Sequence, residues 1–136
     1  MNAAQISLVR SSFDSVRPIA TQAAAMFYDR LFERQPSVAP LFRGNMAQQG
    51  ERLMAMIGAA VQLLDQPQRL DQTLVELGQR HMGYGVKPEH YDAVGGALLD
   101  TLAAGLGPAF TADTRQAWAA LYAHVSHTMQ AAALVA

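Results

Sequence analysis

The sequence predicts an all-α protein, and three observations carry that reading. Apolar residues recur at three- and four-residue intervals along the chain, as one face of a helix requires, and no stretch alternates apolar with polar residues as a half-buried strand would. The six prolines all fall between the periodic stretches, where helices start or stop. The composition is rich in Ala and Leu, with 51% hydrophobic and 15% charged residues, which suits a helical chain with a large interior and argues against disorder. With 136 residues the chain is expected to be a single domain, 1–136, able to bury roughly two thirds of its unfolded surface.

Each element follows from its own signals. Asn2 with Gln5 forms a capping box ahead of Ile6, Val9, Phe13 and Val16, a first helix that stops near Pro18. Pro18 is placed to open a second helix, with Ala23, Met26, Phe27, Leu31 and Phe32 on its apolar face and Tyr28 facing or bordering the core. Pro36 and Pro40 bracket one or two tight turns ending at Leu41 and Phe42. After the loop Arg43-Gly44-Asn45, Asn45 with Gln48 signals a third helix whose face is Leu53, Ile57, Ala60, Val61 and Leu64. One turn before Leu53, that face carries Gln49, either a frayed edge residue or an amide aimed at a polar guest. Asp65-Gln66-Pro67 breaks this helix, and the segment RLDQTLVELGQRHMGYGVKPEHY, Arg69 to Tyr91, holds the next. Pro88 then opens a helix with the stripe Tyr91, Val94, Leu98, Leu102 and Leu106, closed by Gly107-Pro108. Thr111 caps the last helix, with Asp113 in its first turn and Trp118, Leu121, Tyr122, Val125 and Met129 on its buried face. Six or seven helices with short loops are expected, with two long ones at the end.

Charge and composition exclude several functions. A formal net charge of -1 gives no broad attraction for nucleic acid or an anionic membrane. The absence of cysteine removes disulfides and thiolate metal sites. The start, MNAAQISLVR, lacks a basic segment followed by an apolar run, and no apolar stretch reaches spanning length, so no membrane is expected and a cytoplasmic location is.

The chemistry concentrates at His81. Leu70, Leu74 and Leu77 recur on one helix face, and the next position in that series is an imidazole. Gly83, Gly85 and Pro88 follow at once, so His81 sits in the last turn of its helix, pointing where the leucines point. On spacing alone this is compatible with a core histidine, a zinc ligand or a haem ligand. The lack of cysteine and of a second well-placed histidine weakens zinc; His90, His124 and His127 read as surface or helix-face residues.

The chain resembles the globins, specifically bacterial single-domain globins related to Vitreoscilla haemoglobin and the globin part of flavohaemoglobins. FYDRLFERQPSVAPLF, Phe27 to Phe42, is similar to their second and third helices, and LGPAFTADTRQAWAALY, Leu106 to Tyr122, resembles the last helix of neuroglobins. The resemblance covers essentially the whole chain and implies the globin fold, a 3-over-3 helical sandwich around haem b. It makes His81 the ligand of the haem iron, Phe42 the aromatic packed on the porphyrin, and Tyr28 and Gln49 the distal pair, with Leu53 one turn beyond. Leu77, Val86 and Tyr91 fall around the proximal side, and Arg52 within reach of a haem propionate.

A tyrosine hydroxyl and a glutamine amide are suitable donors to the partial negative charge of bound dioxygen. At about 1 to 1.5 kcal/mol each, they would slow oxygen escape roughly tenfold to a hundredfold. Because Gln49 stands where other globins put histidine, five-coordinate ferrous iron is expected. In flavohaemoglobins a tyrosine and a glutamate polarise the proximal histidine; Tyr91 keeps the tyrosine, but the acidic position is Ala133. The resemblance therefore implies binding of dioxygen, nitric oxide or carbon monoxide, for oxygen binding, storage or scavenging, by a monomer or homodimer. The alternative is a nitric oxide dioxygenase served by a separate reductase.

Overall fold

The computed structural model describes residues 1–42, 44–83 and 86–134, with the side chains of residues 82, 83, 133 and 134 left aside. Six α-helices carry the fold: α1 (Ala3–Val16), α2 (Ala20–Arg34), α3 (Met46–Gln62), α4 (Pro67–Gly83), α5 (Pro88–Leu106) and α6 (Ala112–Leu134). Three-residue 3₁₀ turns precede α2 and follow α5, and a longer one, Pro36–Leu41, joins α2 to the loop before α3. Among the described residues there is no strand.

The caps read from the sequence are in place. Asn2 accepts from the Gln5 amide at 2.8 Å while the Gln5 side chain accepts from the Asn2 amide at 3.1 Å. Asn45 accepts from the amides of Ala47 and Gln48, and Thr111 Oγ1 accepts from Thr114 N–H at 3.2 Å. Gly107, at φ +56°, ends α5 in a conformation that a side chain would strain. One boundary differs from expectation: Pro18 lies inside the 3₁₀ turn Arg17–Ile19, and α2 begins only at Ala20. Pro18 stands at the start of this turn, where the N–H that proline lacks would have no intrahelical partner in any case.

Helices α1, α3 and α4 form one layer over α2, α5 and α6, the 3-over-3 arrangement. The main core joins Val9, Phe13 and Val16 of α1 to Trp118, Leu121 and Met129 of α6, and to Leu70 and Leu74 of α4. Trp118, only 1% exposed, donates from its indole nitrogen to Ser12 Oγ at 2.7 Å, so its one polar atom is satisfied. Burying Leu70 and Leu74 contributes about 1.5 to 3 kcal/mol each. Arg10 reaches across from α1 to the carbonyl of Gln62 at 3.1 Å and to Asp65, closing the carboxyl end of α3.

Helix α5 is buried more widely than its predicted stripe. Ala93, Gly95, Ala97 and Thr101 are buried along with Tyr91 and Leu102, because α5 is packed between α2 and α6. Val94 and Leu98 of the stripe remain half-exposed. The same is true of Leu53, Ile57 and Ala60 on α3 and of Leu77 on α4. These half-exposed apolar residues mark a common feature. Although consecutive in the chain, α3 and α4 make almost no contact with each other among the described residues. Helix α4 packs on α6, α3 packs on α1 and α2, and the apolar faces between them are left incompletely covered.

Candidate functional site

The geometry at this opening is set first by two close helix approaches. On α3, an added side-chain carbon at Gly50 would stand 3.0 Å from Ala24 Cβ, so α2 and α3 meet where only glycine fits comfortably. Tyr28, one helical turn beyond Ala24, is thereby brought to the neighbour of Gly50, and its hydroxyl donates to the Gln49 main-chain carbonyl at 3.1 Å. On the other side, an added carbon at Gly78 would fall 2.8 Å from Met129 Cα and 3.0 Å from its carbonyl carbon. There α4 rests backbone to backbone on α6, one turn before His81.

His81 closes the apolar series as expected. Leu70 and Leu74 are buried, whereas Leu77 and His81 are half-buried, so the face leaves the core and emerges beside the opening. His81 Nδ1 lies 2.9 Å from the Leu77 carbonyl. A carbonyl only accepts, so the ring proton resides on Nδ1 and the lone pair on Nε2, the tautomer required of a ligand. Burial depresses the imidazole pKa below its ordinary value, outweighing the opposing hydrogen bond to Leu77, with Arg80 adding to the depression. The ring is therefore held neutral as well as oriented.

Tyr28 sits in an aromatic cluster. Phe42 meets it edge to face at 5.2 Å between ring centres, Phe32 stacks at 6.0 Å, and Phe27 packs edge-on at 5.3 Å. Burial pushes the Tyr28 hydroxyl up to about 12, so it keeps its proton throughout the neutral range. Gln49 is half-buried at the start of α3. Leu53, one turn on, packs on the Tyr28 cluster and borders a cavity of about 20 Å³, the space of one water-sized molecule, shared with Phe27, Ile57, Leu98 and Trp118. Arg52, the residue before Leu53, is exposed. On the α4 side Val86 packs on the main core and its amide donates to the His81 carbonyl at 3.5 Å, while Tyr91 is buried beside it in the same core. Leu98 packs against both the Tyr28 cluster and the main core.

Of the histidines read as surface or helix-face residues, His124 and His127 stand at the surface and His90 lies on a buried helix face. His90 is not a surface residue: it is 5% exposed, and its Nδ1 accepts from the Lys87 amide at 3.0 Å, satisfying an orphan donor at the start of α5. Its position three residues past the N-cap, behind Pro88, was the available signal. His124 is exposed and pairs with Asp71 at 2.6 Å, tying α6 to α4, and His127 is exposed. Phe32, a core position by its periodicity, also stacks on Tyr28, four residues before it. The side chain of Ala133 lies outside the described residues, as do Tyr84 and Gly85 and the loop residue Arg43.

The α4 side thus carries a neutral, oriented imidazole, the α2–α3 side a protonated hydroxyl at the Gln49 backbone, and half-buried apolar residues stand on both α3 and α4. Among the described residues no cluster of three or more His, Asp or Glu could hold a metal ion directly. A flat apolar group bringing its own metal fits this donor set, whereas an ion caged by side chains does not.

The family model for globins matches residues 25–129, and the chain belongs to the globin family, a class of haem-binding proteins that take diatomic gases. Among its relatives are the neuroglobin of Tetraodon nigroviridis, 33% identical over 90% of this chain and 86% of that protein, and the neuroglobin of Danio rerio, 31% identical over the same shares. Among solved structures, an engineered carbene transferase from Rhodothermus marinus superposes with a TM-score of 0.87 at 26% identity, covering 99% of this chain and 94% of that one. A bacterial globin from Campylobacter jejuni gives 0.84 at 23% identity, over 98% and 97%. The likeness to bacterial globins thus holds in the fold, and strong sequence likeness extends to fish neuroglobins. No helix among the described residues is long and apolar enough to cross a membrane.

Proposed function

We propose that this chain, as one domain over 1–136, binds dioxygen reversibly, for storage or scavenging in the cytoplasm, with haem b held between α3 and α4. His81 Nε2 would be the protein ligand, Phe42, Leu53, Leu77 and Val86 the apolar walls, Tyr91 the aromatic behind the proximal side, and Arg52 a partner for a propionate. When bound, ferrous haem supplies the site at which a diatomic gas is taken up. The observation that carries the reading is the hydrogen bond from the Tyr28 hydroxyl to the Gln49 main-chain carbonyl, which sets a hydroxyl beside the residue that bears the glutamine amide, among the apolar neighbours Phe32, Phe42 and Leu53.

The chemistry of that pair has a consequence for affinity. A hydroxyl has one proton to give, and Tyr28 gives it to the Gln49 carbonyl. To serve a gas, the hydroxyl turns away from that acceptor, so the stabilisation is the difference between two hydrogen bonds. Gln49, with its amide as donor, then contributes comparably. Coordination follows from the same residue: a Drosophila neighbour of this fold, TM-score 0.86 at 21% identity, is a hexa-coordinate haemoglobin, so the fold alone leaves coordination open. A glutamine at position 49 supplies no strong sixth ligand, which favours five-coordinate ferrous iron. Tyr28→Phe is expected to speed oxygen dissociation roughly two- to tenfold in stopped-flow measurements. An unchanged rate would exclude Tyr28 as a donor to the gas.

The second reading, nitric oxide dioxygenation with an external reductase, needs a strongly basic proximal histidine. The carbonyl partner of His81 Nδ1 leaves the ring neutral rather than imidazolate-like, which favours ligand binding.

A further inference from the structure

We propose that Arg34, the last residue of α2, is a positioning residue for gas binding: it fixes where α2 stands on α5, and with it where Tyr28 holds its hydroxyl. This rests on the reading of Tyr28 as a donor to the bound gas. The guanidinium reaches from α2 to α5 and donates twice to one carboxylate oxygen of Asp100, from Nη2 at 2.6 Å and from Nε at 3.2 Å. On the way it lies against bare main chain. A side-chain carbon added at Gly96, one turn before Asp100, would stand 2.5 Å from Arg34 Nη1 and 2.6 Å from Cζ. The glycine and the carboxylate therefore form a seat, one turn of α5 long, that fits a flat guanidinium.

The seat matters because the buried α5 side of this contact is smooth. Phe27, Tyr28 and Leu31 of α2 form one buried cluster with Ala93 and Ala97 of α5 and with Val38 of the turn that follows α2. Alanine offers a single carbon, so it raises no deep ridge to hold the partner helix in register. Leu31 and Ala97 are fully buried, which holds the helices together, but apolar burial has no direction. The Arg34–Asp100 pair supplies direction at the carboxyl end of α2. Tyr28 stands six residues earlier, roughly 9 Å along the helix, and Phe42, edge to face with Tyr28, follows through the turn Pro36–Leu41. A slide or rotation of α2 on α5 moves both rings. The two charged side chains are 45% and 34% exposed, so the pair adds little to stability and acts on register.

Two variants separate position from fold. Arg34→Gln removes the charge, and Gly96→Ala fills the seat while raising the helix propensity of α5, the added carbon meeting the end of a flexible side chain that can swing away. Both are measured on the haem-loaded protein, alone and combined with Tyr28→Phe. The C–O stretch of the ferrous carbon monoxide complex reads the polarity beside the bound gas, stopped-flow mixing gives oxygen dissociation, and urea unfolding gives stability. With Tyr28 present, both variants are expected to shift the stretch toward its position in Tyr28→Phe and to speed oxygen dissociation roughly two- to fivefold, part of the worth of one hydrogen bond. The unfolding midpoint of Gly96→Ala is expected to stay at or above that of the wild type, and with Tyr28→Phe neither variant has a further effect. An unchanged stretch and rate in both single variants, or equal shifts with and without the Tyr28 hydroxyl, would overturn the inference and leave Tyr28 as the donor. If Tyr28→Phe alone leaves stretch and rate unchanged, the donor reading falls and this inference with it.

Discussion

His81→Ala is expected to give a folded protein that no longer retains haem. The residue is half-buried at the last turn of α4 and stands outside the buried core that Leu70, Leu74 and Trp118 build, so its loss leaves that core in place. The loss of the ligand is far larger. Metal sites lose roughly 10- to 100-fold in affinity when only the partner of a ligand is removed, and removing the ligand exceeds that. The variant should purify with little visible absorbance, and imidazole added to the medium should restore part of it by filling the vacated space. Full retention of colour with an unaltered spectrum would mean that another group holds the iron.

The second large effect is expected at Gly78. Alanine is favoured over glycine within a helix by about 1 kcal/mol, so a residue with space around it would gain stability from Gly78→Ala. Here the added carbon meets Met129 Cα at 2.8 Å and its carbonyl carbon at 3.0 Å. These are backbone atoms, which no change of rotamer can move aside, so α4 and α6 must separate. Overpacking of this kind costs about 1 to 3 kcal/mol and occasionally more, and a rigid backbone contact lies at the upper end. Against a typical total of about 5 to 15 kcal/mol, a loss near 3 kcal/mol is readily seen as a lowered urea midpoint. A raised midpoint would show that the two helices are not in contact there. Because His81 lies one turn farther along α4, the same change should also weaken haem retention.

The parts of this architecture that depend on local rules were legible in the sequence. The Asn2–Gln5 box, the Asn45 and Thr111 caps and the Pro88 start are local chemistry, and they stand where the residues placed them. The leucine series ending on His81 is a periodicity, and it leads the imidazole out of the core beside the opening. What was hidden depends on the neighbours. The burial of Ala93, Gly95 and Ala97 follows from α5 lying between α2 and α6, and small residues give no hydrophobic stripe to announce it. Glycine at 50, 78 and 95 reads as a weak helix former in isolation, and only the facing atoms Ala24 Cβ, the Met129 backbone and the Tyr122 ring show why each is small. Tyr28 was expected to present its proton to a guest; that it already donates to the Gln49 carbonyl depends on how closely α2 approaches α3, which spacing along one helix cannot reveal.

Oxygen binding at this site depends on the electronic state of ferrous iron without a gaseous ligand, since His81 is to hold it from one side while Gln49 supplies no strong ligand from the other. A visible spectrum of the dithionite-reduced, gas-free protein reads this directly. One broad band in the green region, as high-spin five-coordinate haem gives, is the predicted result. Two sharp low-spin bands would show a second internal ligand and contradict the open distal site on which the oxygen-binding reading rests.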